Sequence, residues 1–243
     1  MQAVILAAGD GGRLYPLTSS TPKPLLQLGG RAIIEHVLDA LQHAGVDDVV
    51  VVLGYRGDQI RRALAGRDSC GMHVRFVEND GFLLGNARSI WAARHAVDGS
   101  FVLAMGDHLI EPELASALVE EANGRCRLAV EHTHRADARA DEATRACVRD
   151  GRVVDLGKEI ADWNALDTGI FWCTPRVFDA MTPAMRDGEA GAVFAKLARA
   201  GELDAVDVSG SRWMDIDTPE DLRLAEASLA SGALWHNEHA RSA

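Results

Sequence analysis

The 243-residue sequence predicts an α/β fold. It reads as a single-domain Rossmann-like unit over residues 1–231, with an open, mostly parallel sheet, helices on both faces and a small antiparallel subregion. A polar C-terminal tail follows over 232–243. Two observations carry this reading. Apolar runs of strand length alternate with amphipathic segments through the first half, which is the rhythm of βαβ units. The second half then changes character, with an Asp150-Gly151 hairpin signal between short apolar runs. The length suits one large hydrophobic core, and no composition shift marks a second domain.

The elements follow in order. Ala3–Ala8 is a short, wholly apolar run and reads as a buried parallel strand. Arg31–Ala44 repeats apolar residues at Ile33, Ile34, Val37, Leu38 and Leu41, a helical stripe, and Gly45 supplies the stop. Asp48–Leu53, His73–Val77 and Phe101–Met105 read as further strands, with helices over Asp58–Ala65, Asn86–Ala96 and Pro112–Asn123. Cys126–Glu131, Arg145–Val148, Val153–Leu156 and Leu166–Cys173 form the strand-rich second half. Helices near Pro175–Met181 and over Ala192–Ala200 come after it. The last helix begins at Thr218-Pro219-Glu220-Asp221, where Thr218 is the N-cap, Pro219 the first helical residue and Asp221 the reciprocal partner.

Composition narrows the function. A formal net charge of −11 excludes bulk nucleic-acid binding. It leaves room for a local cationic pocket. Cys70, Cys126, Cys147 and Cys173 are widely spaced, without a Cys-x-x-Cys, which predicts reduced thiols and a cytoplasmic protein. No secretion signal is apparent and no apolar run reaches the roughly 20 residues of a membrane span, so no direct membrane insertion is expected. The oligomeric state stays open.

The chemistry starts where the first strand ends. Gly9, Gly11 and Gly12 can turn backbone N–H groups into one concavity, an anion nest, and Arg13 and Lys23 add two cations to the same segment. That combination suits a nucleoside triphosphate. A dinucleotide-binding G-x-G-x-x-G is excluded, because Leu14 stands where the third glycine belongs and Pro16 and Pro22 interrupt the required helix. No Gly-Lys-Ser/Thr follows either, which excludes a Walker loop.

Acidic residues supply the complement. Asp107 follows Gly106 just past a buried strand, where ligands of open α/β sheets bind. An acid facing a triphosphate calls for a divalent cation, and Mg²⁺ takes a few carboxylates together with phosphate oxygens. Asp215 and Asp217, two apart in an extended segment, point to one side and are the candidate distant partners, although Asp217 can instead brace the start of the last helix. His108 either helps the acceptor site or packs, with packing favoured, and His132 and His134 are expected to lie at the surface.

Two further segments bear on substrates. Gly85 allows close backbone approach, and Asn86 or Ser89 at a helix start can donate to ribose or base. Glu78 can accept from an exocyclic amine such as cytosine N4. Lys158 can meet a phosphomonoester, and Asp167-Thr168-Gly169 suits hydrogen bonds to a polyol.

The motif Ala7-Ala8-Gly9-x-Gly11-x-Arg13-x-x-Pro16-x-Thr18 with Pro22-Lys23-Pro24 resembles the signature of sugar-phosphate and alcohol-phosphate nucleotidyltransferases. Taken with Gly106-Asp107-His108, Gly157-Lys158, Asp167-Thr168-Gly169 and Trp213-Met-Asp215-x-Asp217-Thr, the whole chain looks most like the CTP:inositol-1-phosphate cytidylyltransferases. The resemblance implies that Ala7 to Gly12 embrace the triphosphate and that Arg13 and Lys23 stabilise transition-state charge. It also implies that Gly85, Asn86 and Ser89 contact the nucleoside, that Lys158 and Asp167–Gly169 bind a phosphorylated alcohol in the antiparallel subregion, and that Asp107 with a late aspartate holds Mg²⁺. The expected partners are therefore CTP, ahead of other nucleoside triphosphates, and an acceptor such as inositol 1-phosphate. Alternatives are a uridylyl- or thymidylyltransferase for a sugar 1-phosphate, and a cytidylyltransferase for phosphocholine or a phosphonate. From other classes come a metal-dependent glycosyltransferase and a nucleotide-sensing domain without turnover.

Overall fold

A nine-stranded sheet organises the molecule, and its first strand lies at the heart of its parallel part. The structure is a computed structural model and describes residues 1–66, 71–120, 124–133 and 143–231. Strand β1 (Gln2–Ala7) pairs in parallel with β4 (Asp48–Leu53) on one side and β6 (Phe101–Met105) on the other, and β5 (His73–Glu78) extends this set beyond β4. Val49 to Leu53 are wholly buried, as a continuous apolar run between two helical layers requires.

Helices cover both faces, as expected. Helices α1 (Ile33–His43), α2 (Gly57–Ala63) and α4 (Pro112–Glu120) bury Ile34, Leu38, Leu41, Ile60, Leu114 and Leu118 against one face. Helices α3 (Asn86–Ala92), α5 (Arg176–Ala180) and α6 (Ala190–Arg199) place Ile90, Val177, Val193 and Phe194 on the other. The stripe predicted from Arg31 begins two residues later. Arg31–Ala32 instead forms a short strand, β3, against β2 (Gln27–Leu28), and Glu35 accepts from the Ala32 N–H at 2.9 Å to start the helix.

The second half makes the sheet mixed. Strand β11 (Ala165–Cys173) runs antiparallel to both β6 and β8 (Cys126–His132), and β12 (Leu203–Asp207) adds in parallel to β8. Strands β9 (Arg145–Arg149) and β10 (Arg152–Gly157) form the expected hairpin, with positive φ at both Asp150 and Gly151. β9 also pairs with the start of β11, which builds the antiparallel subregion. Two three-residue strands, β7 (His108–Ile110) and β13 (Trp213–Asp215), pair antiparallel outside the main sheet. Sequence periodicity did not indicate them. Helix α7 (Pro219–Ala230) closes a third, smaller core with Leu14, Leu28, Ile33, Leu109 and Ile216.

Cys126, Cys147 and Cys173 are buried free thiols. Cys70, His134, the end of the predicted Pro112–Asn123 helix and the predicted tail over 232–243 lie outside the described residues. Among the described residues no helix is long and apolar enough to cross a membrane.

Candidate active site

The loop after β1 is folded over the stem of Lys23. Gly11 has φ +64°, and a Cβ there would lie 2.9 Å from both Lys23 Cβ and Thr18 Cγ2. Only glycine fits that turn and that approach. The Thr18 hydroxyl donates to the Gly11 carbonyl at 3.0 Å, and fully buried Leu14 anchors the loop in the small third core. The Lys23 side chain is consequently only 7% exposed, while Arg13 stands open at the rim.

The carboxylates reach Lys23 from two directions. The Gly106 N–H donates to the Leu6 carbonyl at 2.9 Å, which turns the chain just beyond β6 and sets Asp107 beside the loop. The β7–β13 pairing then places Asp215 opposite His108, and the Ile216 N–H donates to the Asp107 carbonyl at 3.2 Å. Asp217 is fixed by the cap of α7. Asp221 accepts from the backbone N–H groups of Asp217 (3.1 Å) and Thr218 (2.7 Å), while the Asp221 N–H donates to Thr218 Oγ1 at 3.2 Å.

The result is one ionic cluster. Lys23 Nζ lies 2.7 Å from Asp107 Oδ2, 2.7 Å from Asp217 Oδ1 and 3.7 Å from Asp215 Oδ1. Arg13 pairs with the other oxygen of Asp217. His108 Nδ1 sits 3.0 Å from Asp107 Oδ1 and 3.6 Å from Asp215 Oδ1.

Charge states follow from this crowding. Burial alone would lower the Lys23 ammonium, but Asp107, Asp215 and Asp217 outweigh it and hold the group well above its usual range. Burial likewise opposes ionisation of Asp107, yet Lys23 and His108 keep its carboxyl well below the usual range. Asp217 is held low by Lys23 and Arg13 against its own burial. Asp215 goes the other way, to about 6, because burial and its acidic neighbours exceed the help it receives from His108 and Lys23. His108 is raised to about 9 by Asp215 and Asp107 in spite of its burial.

This cluster borders a cleft of about 760 Å³. Ala7, Ala8, Gly9, Gly11, Gly12, Arg13, Lys23, Asp107 and Asp217 line it together with Gly85, Asn86 and Ser89, while Asp215 joins the cluster behind that lining. Most of the residues singled out in the sequence therefore meet. Asn86 and Ser89 are also tied internally. Asn86 Oδ1 accepts from the Ala190 N–H at 2.5 Å, and Ser89 Oγ from Asn79 Nδ2 at 2.9 Å, so both brace the wall they line.

Five predicted residues, Glu78, Lys158, Asp167, Thr168 and Gly169, stand apart from the cluster and the cleft lining. Glu78, at the end of β5, pairs with Arg61 of α2 and does not line the cleft. Thr168 corrects its predicted exposure to a polyol: it is wholly buried, and its hydroxyl donates to the Ala129 carbonyl at 2.9 Å. The cause is an irregularity in β11 between Asp167 and Phe171 that turns the side chain into the sheet. Lys158 is exposed in the turn after β10, two strands across from the Asp167 turn through the pairings Gly157–Arg145 and Arg145–Leu166. Asp167 is half-buried and accepts from the Gly169 N–H at 2.8 Å; burial, partly offset by that N–H and by His108, raises it to about 6.

The sequence favours packing over an acceptor role for His108 and does not single out Glu189, an exposed acid on the cleft wall at the start of α6. The Gly-Asp-His triplet was the available signal for His108. Nothing in the sequence around Glu189 pointed to the cleft.

The donor set fits a hard divalent cation. Among the described residues Asp107, His108 and Asp215 each offer a ligand atom within 4.8 Å of the others. Asp215 Oδ1 is buried without a hydrogen-bond partner, and Asp217 adds oxygens beside it. An oxygen-rich set of this kind suits Mg²⁺. Elsewhere, His132 Nδ1 lies 3.2 Å from the Asn164 carbonyl, in keeping with a surface histidine.

Residues 3–202 match the MobA-like NTP transferase domain. The chain is 34% identical to a bifunctional IPC transferase and DIPP synthase of Rubrobacter xylanophilus, over 97% of this chain and 53% of that protein. It is 32% identical to the N-acetylmuramate alpha-1-phosphate uridylyltransferase of Neisseria meningitidis, over 96% of this chain and 99% of that one. Among solved structures, the inositol-1-phosphate CTP transferase from T. maritima has a TM-score of 0.81 at 28% identity, over 93% of this chain and 96% of that chain. The chain spans about half the length of the bifunctional relatives it matches.

Proposed function

The chain belongs to the MobA-like NTP transferase family, and from that premise we propose that it transfers a cytidylyl group from CTP to inositol 1-phosphate. The observation that carries the reaction class is the meeting of Arg13 and Lys23 with Asp107, Asp215 and Asp217 at the border of a nucleotide-sized cleft. The choice of substrates is supported by the relatives named for inositol 1-phosphate and CTP.

In this reaction an oxygen of the acceptor phosphate attacks the α-phosphorus of CTP. A new P–O bond forms as the bond to the bridging oxygen breaks, and pyrophosphate leaves with the electron pair. A phosphomonoester is largely ionised near neutrality, so no general base is needed. Catalysis is alignment together with charge stabilisation. The Gly9–Gly12 backbone receives phosphate oxygens, with Arg13 and Lys23 drawing charge from the triphosphate. Gly85, Asn86 and Ser89 bound the nucleoside end. Asp167 and Lys158 face the acceptor from the antiparallel subregion. Asp107, Asp215 and Asp217 would hold Mg²⁺, which when bound supplies positive charge to phosphate oxygens.

The uridylyltransferase relatives, covered almost end to end, favour a second reading: UTP with a sugar 1-phosphate. The test is pyrophosphate release from CTP, UTP, dTTP, ATP and GTP, each paired with inositol 1-phosphate, phosphocholine, aminoethylphosphonate and glucose 1-phosphate. The proposal expects CTP with inositol 1-phosphate to lead. Turnover led by UTP or dTTP with a hexose phosphate would transfer the substrates to the second reading. Absence of pyrophosphate in every pair would remove the reaction class.

A further inference from the structure

We propose that His108 is a substrate-binding residue for the acceptor, offering Nε2 to an acceptor oxygen at the wall between Asp107 and the Asp167–Gly169 turn. This rests on the reading that the phosphorylated alcohol binds against that turn.

The two edges of the ring have different surroundings. Nδ1 lies 3.0 Å from Asp107 Oδ1 and 3.6 Å from Asp215 Oδ1, so this nitrogen carries its hydrogen toward carboxylates and fixes the ring. The opposite edge faces Gly169. A Cβ on Gly169, which has φ +79°, would fall 2.3 Å from His108 Cδ2 and 2.6 Å from Nε2. The turn thus approaches the ring as closely as a glycine permits, and Asp167 closes the same turn by accepting from the Gly169 N–H.

Nε2 itself has no hydrogen-bond partner among the described residues, nor is it among the polar atoms sealed from solvent. The side chain as a whole is only 15% exposed. A ring nitrogen left open in this way is met by water in the free protein and can exchange that water for a ligand oxygen. On the proposed reading, an oxygen of the acceptor takes that position.

The test separates the two edges. His108→Asn keeps an N–H donor within reach of Asp107 and deletes the Nε2 edge, whereas His108→Gln carries an amide toward the Nε2 position. With CTP and inositol 1-phosphate, His108→Asn should raise the acceptor KM about tenfold, the usual effect of losing one hydrogen bond to a ligand. The CTP KM should rise less than the acceptor KM, and His108→Gln should recover part of the acceptor loss. Calorimetric acceptor affinity should weaken in parallel. An unchanged acceptor KM in His108→Asn, or equal rises in both KM values, overturns the inference while leaving the transferase reading in place. Failure of the wild-type protein to use any phosphorylated alcohol overturns the acceptor reading and this inference together.

Discussion

Lys23→Met removes the buried ammonium that touches three carboxylates while keeping most of the side-chain volume. The structure sets the size of the effect. Two contacts of 2.7 Å, to Asp107 and Asp217, are charge-assisted hydrogen bonds made by a group only 7% exposed. Such bonds are worth roughly 1.5–3 kcal/mol each, and breaking a buried ion pair costs about 3–5 kcal/mol because the remaining charges are left uncompensated. Asp107 is 30% exposed, so water recovers part of this, and a loss of about 3 kcal/mol is expected for the metal-free protein at pH 7. The sign with pH follows from the same pairs. Asp107 and Asp217 are held below their unfolded values, so their contribution is present above the ordinary carboxylate range and fades as pH falls below it. The gap between wild type and variant in urea midpoint should therefore be widest at pH 6–8 and shrink as pH falls below about 4. Added Mg²⁺ should narrow it at neutral pH by supplying the missing charge to the same oxygens. Turnover should fall by about two to three decades, the usual loss for one transition-state charge donor. Equal stability of the two proteins in EDTA at pH 7, or a gap that widens on acidification, would refute the reasoning.

Gly11→Ala should lose about 1–2 kcal/mol for the left-handed backbone alone, with a further steric cost from the 2.9 Å approach to Lys23 Cβ; chemical denaturation gives the total and a nucleotide titration shows weaker binding. Asp221→Ala removes the acceptor for the Asp217 and Thr218 N–H groups, which should cost about 0.5–2 kcal/mol and weaken Mn²⁺ binding measured by electron paramagnetic resonance. Asp48, hydrogen-bonded by Arg75 and Gln2 at the far end of the sheet, is lowered to about 2. Its stabilisation is thus present above its unfolded pKa of about 3.9 and disappears as pH falls toward 2, so Asp48→Asn should be less stable than wild type at pH 7 and converge on it below pH 3.

Much of the architecture is legible because burial leaves a plain mark. The run from Ala3 to Ala7 is apolar since both faces of its sheet are covered, and the stripe at Ile34, Leu38 and Leu41 repeats because one face of α1 is. The α7 cap is readable since Thr218, Pro219 and Asp221 each do a local job. What stays hidden depends on pairing over long separations. Three-residue strands such as His108–Ile110 and Trp213–Asp215 have no period, yet their register sets Asp215 against His108. The irregularity in β11 breaks alternation, so the inward turn of Thr168 leaves no trace in composition. Glu78 reads as a nucleobase acceptor at a strand end, and only the fold shows Arg61 waiting on the neighbouring helix. The sequence leaves Asp215 and Asp217 as alternatives, whereas both approach Lys23, at 3.7 Å and 2.7 Å.

In the proposed reaction the glycine loop, Arg13 and Lys23 act on a triphosphate beside Asp107, Asp215 and Asp217. Its most direct test follows the α-phosphate: CTP labelled at that position, incubated with the protein, Mg²⁺ and inositol 1-phosphate. The label should pass intact into a cytidine diphosphate adduct of the alcohol as unlabelled pyrophosphate appears in equal amount. Label that remains in CTP, or emerges only as free CMP or CDP, would contradict the account.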